Sequence, residues 1–410
     1  MKLHWKILIA MILGVFTGLL IDSFKIKSTL IFELIILIGD IFIKLLKMVI
    51  VPLVFTSITI GISSIKNRSK IRRLSTKTFL YYISTSFMAI LIGLFLANTI
   101  QPGIGASVIS DAGVYDTSKL STSSSMVDIL KRMIPNNPVS AFANGDMLSI
   151  IFFAIFFGIT LSLISSEKSS PVLGVINSIY HVIIKMTRTI INLAPFGVFS
   201  LMVKAISLTG LTIFKELGLY ALTIILGLSI HLFFIIPIIL ILFARVNPIK
   251  HFKSIAPAMI TAFSTSSSNA TLPVTIKCVR ENIKVSNETS SFVLPMGSTI
   301  NMDGTALYEC AGVLFIAQAL GIPLDAGQQF IVVITALLAS IGAAGIPSAG
   351  LVMLFIVTDA VGLKSDAVAL WVGSMLAIDR PLDMLRTMVN ISSDSVGAVV
   401  IAHSEGEKLY

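Results

Sequence analysis

Residues Leu376–Ala402 read LAIDRPLDMLRTMVNISSDSVGAVVIA. The background of the stretch is Leu, Met, Val, Ile and Ala, and its length suffices to cross the ~30 Å of a bilayer's hydrocarbon as a helix. Set into that background are Asp379, Asp383, Arg386, Thr387, Asn390 and Asp394. At ~100° per residue they fall within a stripe about 100° wide, with Arg380 just beside it. An ionised side chain costs at least ~2.5–3.5 kcal/mol at the centre of a spanning helix. The stripe must therefore face protein, water or ligand. Pairs such as Asp379 with Arg380, or Asp383 with Arg386, would satisfy part of it as an internal salt-bridge network. Counting Asp303 as well, however, four aspartates meet two arginines. If all share one buried region, an excess of about two negative charges remains, which is expensive unless countered. Bound cations are the natural remedy, because carboxylates and backbone carbonyls are the preferred ligands of hard cations.

The rest of the chain has the composition of a membrane protein. Of its 410 residues 55% are hydrophobic and only 12% charged, with a mean hydropathy of +0.95. A soluble chain carries about twice that charge to solvate its surface. Apolar runs at Ile7–Leu20, Ile41–Ile60 and Tyr220–Phe243 match the ~20 residues a spanning helix needs. The net charge of +9 gathers at Lys66–Lys77, Arg245–Lys253 and Lys277–Lys284, between apolar segments. Such clusters mark cytoplasmic loops under the positive-inside rule, and their placement excludes a nucleic-acid partner. Lys2 and Lys6 precede the first apolar run, but no small-residue cleavage site follows it, so a retained first helix is expected. Spanning helices are expected near 5–22, 32–63, 78–100, 140–166, 176–206 and 213–245, with a polar external loop at 102–127 and cytoplasmic N- and C-termini. Cys278 and Cys310 lack metal-ligand spacing and are not expected to pair. The five histidines, His231 among them, show no metal or triad spacing and are expected to be structural or solvated. No Walker or dinucleotide fingerprint is present, and the serines at 266–268 lack a G-x-S-x-G context, so no enzyme is expected.

The second half departs from simple spanning helices. Its apolar stretches are interrupted by STSSSNATLP (264–273), NMDGT (301–305) and SIGAAGIPSAG (340–350). Irregular backbone at membrane depth survives only where it lines a protein cavity. Interrupted segments in comparable places point to a transporter site between structural repeats. Residues 249–278 and 327–362 are accordingly read as two re-entrant helical hairpins whose polar tips meet near mid-membrane. In the third helix, Tyr82, Thr85 and Ser86 of YYISTS share one face at i, i+3 and i+4 and could wall an ion site beside NMDGT.

The strings TSSSNATLPVT, NMDGTALYE, SIGAAGIPSAG and LDMLRTMVN, with PLVF (52–55), YYISTS and NNPVSAFANGDMLSIIFFAI, closely resemble the dicarboxylate/amino acid:cation symporter family, which includes the glutamate transporters. The likeness covers nearly the whole chain. It implies an all-α membrane protein of eight transmembrane helices and two re-entrant hairpins. It also implies a homotrimer importing L-glutamate or L-aspartate with sodium, or with protons, by alternating access in the cell membrane. Residues 1–77 and 102–212 would form the scaffold with the external loop; 78–101 and 213–410 would form the moving transport part. By position, Asp383 resembles the aspartate that receives the substrate ammonium, and Arg386 the arginine that grips its side-chain carboxylate. Thr387 and Asn390 would complete the polar wall, and Ser267 and Ser268 would meet the main carboxylate. Asp303, with Asn301, Thr305, Tyr82, Thr85 and Ser86, resembles one sodium site, Thr305 also bordering the substrate. Asp394, with oxygens around Asn301 and Asn390, resembles another. Met302 and Ser340, Ile341 and Ala343 of the second hairpin resemble a third. Many relatives carry a further arginine where this chain has Ser266 or Met384, and Gly where it has Ser393; Arg380 lies one turn from Asp383. A C4-dicarboxylate would leave Asp383 without an ammonium, and a neutral amino acid would leave Arg386 unpaired. An anion channel would need no occluded site.

Overall fold

Long apolar runs become long helices. The computed structural model describes residues 3–24, 29–63, 69–106, 134–343, 348–363 and 365–410, and every element of secondary structure among them is helical. The chain opens with α1 (Leu3–Ser23), α2 (Leu30–Ser63) and α3 (Ser69–Ile100). Most of the external loop read over 102–127, part of the Lys66–Lys77 cluster and the tip of the second hairpin at 344–347 lie outside the described residues.

Two expected spans are broken. The segment read as 140–166 is a short α4 (Pro138–Asn144) followed by α5 (Met147–Leu163). Gly145 ends α4 with φ 65°, a left-handed conformation that glycine adopts without steric cost. The segment read as 176–206 belongs to α6 (Ser166–Asn192) and α7 (Ala194–Thr209), which meet at Leu193 with a 53° bend. Pro195 lies in the first turn of α7, where its missing N–H is tolerated, and cannot continue α6. The sixth run stays continuous: α8 (Thr212–Ile230) passes through two π-turns, His231–Ile235 and Leu240–Ala244. Among the described residues, Trp5–Ser23, Arg73–Ile100 and Ile213–Ala244 are each long and apolar enough to cross a membrane, and the bent α6–α7 pair adds a fourth.

Both hairpins form. The first pairs α9 (Pro248–Thr265) with α10 (Ser268–Glu281), and the second pairs α13 (Ala326–Gly342) with α14 (Ala349–Ala360). Between them, α11 (Asn287–Ile300) and α12 (Asp303–Ala319) are separated only by Asn301 and Met302. The last helix, α15 (Asp366–Ser404), is 39 residues long. Every residue of α12 except Gln318 is buried. A helix covered on all sides is a central one, and α12 packs against α3, α8, α13, α14 and α15. The N-terminal helices instead leave large apolar side chains such as Phe16, Leu34, Ile41, Phe95 and Phe156 exposed, as lipid-facing surfaces do.

Residues Glu405–Tyr410 strap one end of this core together. Glu405 accepts hydrogen bonds from Lys77 (2.6 Å) and from Arg73 at the start of α3. Glu407 caps α11, accepting from the Ser286 N–H (2.7 Å), the Ser286 hydroxyl (2.7 Å) and Thr289 (2.5 Å). The Tyr410 N–H donates to the Ile283 carbonyl (2.9 Å), and its ring lies under the Lys250 ammonium (4.3 Å). All three basic clusters of the sequence thus reach the same end of the molecule. Hydrogen bonds from Lys77 and then Arg73 hold the Glu405 carboxyl below the usual carboxylate range. A depressed value stabilises the fold above the ordinary carboxylate range, and that stabilisation is lost as pH falls through the folded value. Because Arg73 is solvent-exposed and screened, Glu405→Gln is expected to cost only ~0.5–1 kcal/mol at pH 7. Thermal melts in detergent should show this gap closing below about pH 4.

Candidate functional site

The site grows from the polar stripe of α15 and the break between α11 and α12. Arg386 is almost fully buried, which a guanidinium tolerates only when paired. Its Nη2 donates to Asp379 Oδ1 (2.7 Å) and Asp383 Oδ1 (2.9 Å), and its guanidinium carbon lies 3.8 Å from the centre of the Tyr308 ring. Nε and Nη1 are buried without a hydrogen-bond partner among the described residues. The other Asp383 oxygen accepts from the Ser348 N–H (2.9 Å), at the start of α14, and lies 3.6 Å from Arg380 Nη1. Gly350 packs against the guanidinium, so the second hairpin lies over this cluster. The end of α13 is also tied to α2, where the Ser57 hydroxyl donates to the Gly342 carbonyl (2.8 Å).

A second cluster lies at the break itself. Asp303 is completely buried. Its Oδ1 accepts from Ser86 (2.7 Å) and Thr85 (3.3 Å), and Thr85 also reaches Asn301 Oδ1 (3.2 Å). The amide of Asn301 donates to Asp394 Oδ1 (2.9 Å) and to the Ser393 hydroxyl (3.1 Å). The oxygens of Thr85, Ser86, Asn301 and Asp303 therefore converge, as the ligands of a hard cation would. Among the described residues no three His, Cys, Asp or Glu side chains come together, so a transition-metal centre has no support. Asn390 joins the two clusters: it lies one turn beyond Arg386, accepts from the Gly304 N–H (2.8 Å) and points its amide at Thr305 (3.5 Å).

The excess of two negative charges was counted for the case that all four aspartates share one region, and the structure divides them into two clusters. Asp379 and Asp383 sit with Arg386 and Arg380, two negative charges against two positive. Among the described residues Asp303 and Asp394 share the second cluster with no lysine or arginine paired to them, Asp303 facing His231 instead. The carboxylates without a lysine or arginine are thus the ones where the oxygen ligands converge.

Other expected residues fall as follows. The Tyr82 hydroxyl donates to the Val293 carbonyl (2.9 Å), beside Asp394. Thr387 bonds back to the Asp383 carbonyl (2.8 Å) and Ser340 to Leu337 (2.8 Å). Ile341 and Ala343 line a cavity of about 300 Å³ with Ser57, Thr299 and Ile300, and Met302 is buried at the start of α12. Ser267 caps α10, accepting from the Ala270 N–H (3.2 Å), and Ser268 is buried next to it. The preceding Ser266 adopts φ 49°, turning the chain sharply between the two arms.

Some site residues escaped the sequence reading. His231 was expected to be structural or solvated, yet its Nε2 lies 2.9 Å from Asp303 Oδ2. It opens the first π-turn of α8, a widened turn that recurs at functional sites. Glu309 is completely buried, and both its carboxyl oxygens lack a hydrogen-bond partner among the described residues. The Ser393 hydroxyl accepts from the Asn301 amide. The available signal for His231 and Glu309 was the one used for the stripe, a polar group inside an apolar helix.

Gly297 shows how tightly the second cluster is built. A Cβ there would meet Asp394 Oδ1 at 2.5 Å and the Tyr82 hydroxyl at 2.6 Å. Gly297→Ala is expected to displace Asp394 at a cost of ~1–3 kcal/mol, weakening sodium dependence about tenfold or more. Sodium titration of substrate binding would measure it.

Broken helices and paired hairpins closing over a buried polar site define a secondary transporter of the multi-pass membrane class. The chain belongs to the sodium:dicarboxylate symporter family, whose model matches residues 3–404. It is a transporter and not an enzyme. It is 33% identical to excitatory amino acid transporter 3 of Homo sapiens, over 98% of this chain and 86% of that one. The corresponding Mus musculus protein is 32% identical, over 97% and 85%. Excitatory amino acid transporter 2 of Homo sapiens is 33% identical, over 90% of this chain and 73% of that one.

Proposed function

We propose that the protein imports L-glutamate or L-aspartate together with sodium ions by alternating access. The observation that carries this reading is Arg386: a buried guanidinium with two donors left over, beside a carboxylate held under a hairpin tip. A planar guanidinium suits a carboxylate, and the neighbouring Asp383 suits an ammonium. Ser267 and Ser268, at the N-terminus of α10, would take the main carboxylate, where helix ends favour anions. Thr387, Asn390 and Thr305 would line the pocket. Sodium would occupy the oxygens of Thr85, Ser86, Asn301 and Asp303 near Tyr82, and those around Asp394 and Asn390. A third ion would sit between Met302 and Ser340–Ala343. A proton is the alternative coupling ion, and Glu309, buried without a hydrogen-bond partner among the described residues, is its natural carrier.

Eight spanning helices and two hairpins would be divided into a scaffold (1–77 and 102–212, with the external loop) and a moving part (78–101 and 213–410). Three copies would assemble through the scaffold in the cell membrane. The end gathered by Glu405–Tyr410 carries the basic clusters, which favours a cytoplasmic position for both termini. A C4-dicarboxylate remains the second candidate substrate, disfavoured because it offers Asp383 no ammonium. The test is uptake of labelled glutamate and aspartate into proteoliposomes under separately imposed sodium and proton gradients. Accumulation driven by sodium alone is expected; equal uptake of succinate and aspartate, or flux without saturation, would overturn the proposal.

A further inference from the structure

Away from the proposed site, charge is concentrated in a cavity of about 270 Å³ between α2, α7 and the first turn of α15. Its polar lining is Asp40, Lys44, Lys47, Lys204 and Asp366. Lys44 and Lys47 lie about 21 and 26 Å along a helix roughly 51 Å long, too deep for both to be explained as helix-end lysines. They are one turn apart on the same face.

One of the two carboxylates is already paired with a lysine. Asp40 lies 3.4 Å from the Lys204 ammonium. Asp366 stands in the first turn of α15, where the helix end favours a negative charge. Lys47 lies over the Phe355 ring of α14 at 4.9 Å, a contact that leaves its charge uncancelled. Among the described residues Lys44 has no carboxylate partner. It belongs to an exposed stripe of α2 with Leu37, Ile41 and Met48, so the cavity opens beside an apolar, lipid-facing track. Leu201 and Leu370 give the cavity an apolar wall.

We infer that this cavity binds a phosphate group through Lys44 and Lys47, from an acidic phospholipid whose tails follow the α2 stripe or from free phosphate. The ligand would contact α2 and α7 on one side and α15 on the other. Occupancy would thus bias how these two walls sit against each other. This consequence rests on the proposed division into scaffold and moving part; the binding itself does not.

The test uses the purified full-length chain and native mass spectrometry after delipidation. Phosphatidylglycerol, phosphatidylcholine and inorganic phosphate are added separately, to the parent protein and to Lys44→Gln/Lys47→Gln. Retention of phosphatidylglycerol by the parent is expected to fall about tenfold or more in the double variant, with phosphatidylcholine retained weakly by both. Displacement of the lipid by millimolar phosphate would support the site and name free phosphate as an equivalent ligand. Lys44→Arg/Lys47→Arg should restore retention, which separates lost charge from lost fold. Equal retention by parent and Gln variant, or no preference for the acidic lipid and no response to phosphate, would overturn the inference. Sodium-dependent glutamate binding by the same samples reports independently on the transport reading.

Discussion

Replacing Arg386 by alanine is expected to weaken binding of an acidic amino acid by roughly 10²–10⁴-fold. Nη1, the end nitrogen without a partner, would give both its hydrogens to the substrate carboxylate as charge-assisted bonds. Such bonds contribute ~1.5–3 kcal/mol apiece, and every 1.4 kcal/mol is about tenfold in affinity. The same substitution strips Asp379 and Asp383 of the guanidinium they share at 2.7 and 2.9 Å. Leaving buried carboxylates uncompensated costs ~3–5 kcal/mol, so the single variant is also expected to melt earlier. Asp379→Asn combined with Arg386→Ala removes one of those stranded charges, while Arg380 still stands 3.6 Å from Asp383. The pair should recover much of the melting temperature without recovering acidic-substrate affinity. Isothermal titration with aspartate and with a neutral amino acid separates the effects, since a neutral side chain never engages Arg386. Unchanged aspartate affinity in a folded variant would remove Arg386 from its assigned role.

Much of this site could be read before any coordinates, and the reason is energetic. Hydrocarbon makes each polar group inside an apolar segment conspicuous, so the stripe from Asp379 to Asp394 and the breaks at 264–273 and 301–305 stood out against their surroundings. The hairpins follow from the same argument, and their observed bounds differ from the expected ones by only a few residues. What periodicity did not convey was geometry between segments. Nothing in the spacing of His231 announces that a π-turn aims it at Asp303, 72 positions away. Likewise the stripe alone gave a total charge but no partition, because Asp394 turns toward Asn301 while Asp383 turns toward the second hairpin. The bend at Leu193 had a local signal in Pro195, outweighed by the continuous hydrophobicity around it. The strap over Glu405–Tyr410 had none, because it is a short, mostly polar segment that takes its order from α3, α9 and α11.

Asp303→Asn tests the other half of the mechanism, since it changes charge with almost no change of shape. Ser86 and Thr85 can still donate to the remaining oxygen, and the His231 ring can accept from the new amide in its other tautomer. The fold should therefore survive. A monovalent cation about 4 Å from a carboxylate at an effective dielectric near 20 gains ~4 kcal/mol, so sodium affinity is expected to fall roughly 10³-fold. Coupling is reciprocal: at fixed sodium the apparent affinity for aspartate should fall too, and raising sodium should restore it. Asn390 gives that coupling a physical route, because it reaches the Gly304 N–H and Thr305 from one turn beyond Arg386. The variant should nevertheless still prefer acidic over neutral substrates, since Arg386 and its partners are untouched. The two substitutions thus fail in different ways, one losing discrimination at any sodium concentration and the other losing sodium while keeping discrimination. An Asp303→Asn protein whose aspartate binding keeps the parent's sodium dependence would place the ion elsewhere. The unbalanced charge shared by Asp303 and Asp394 would then need a different counterion.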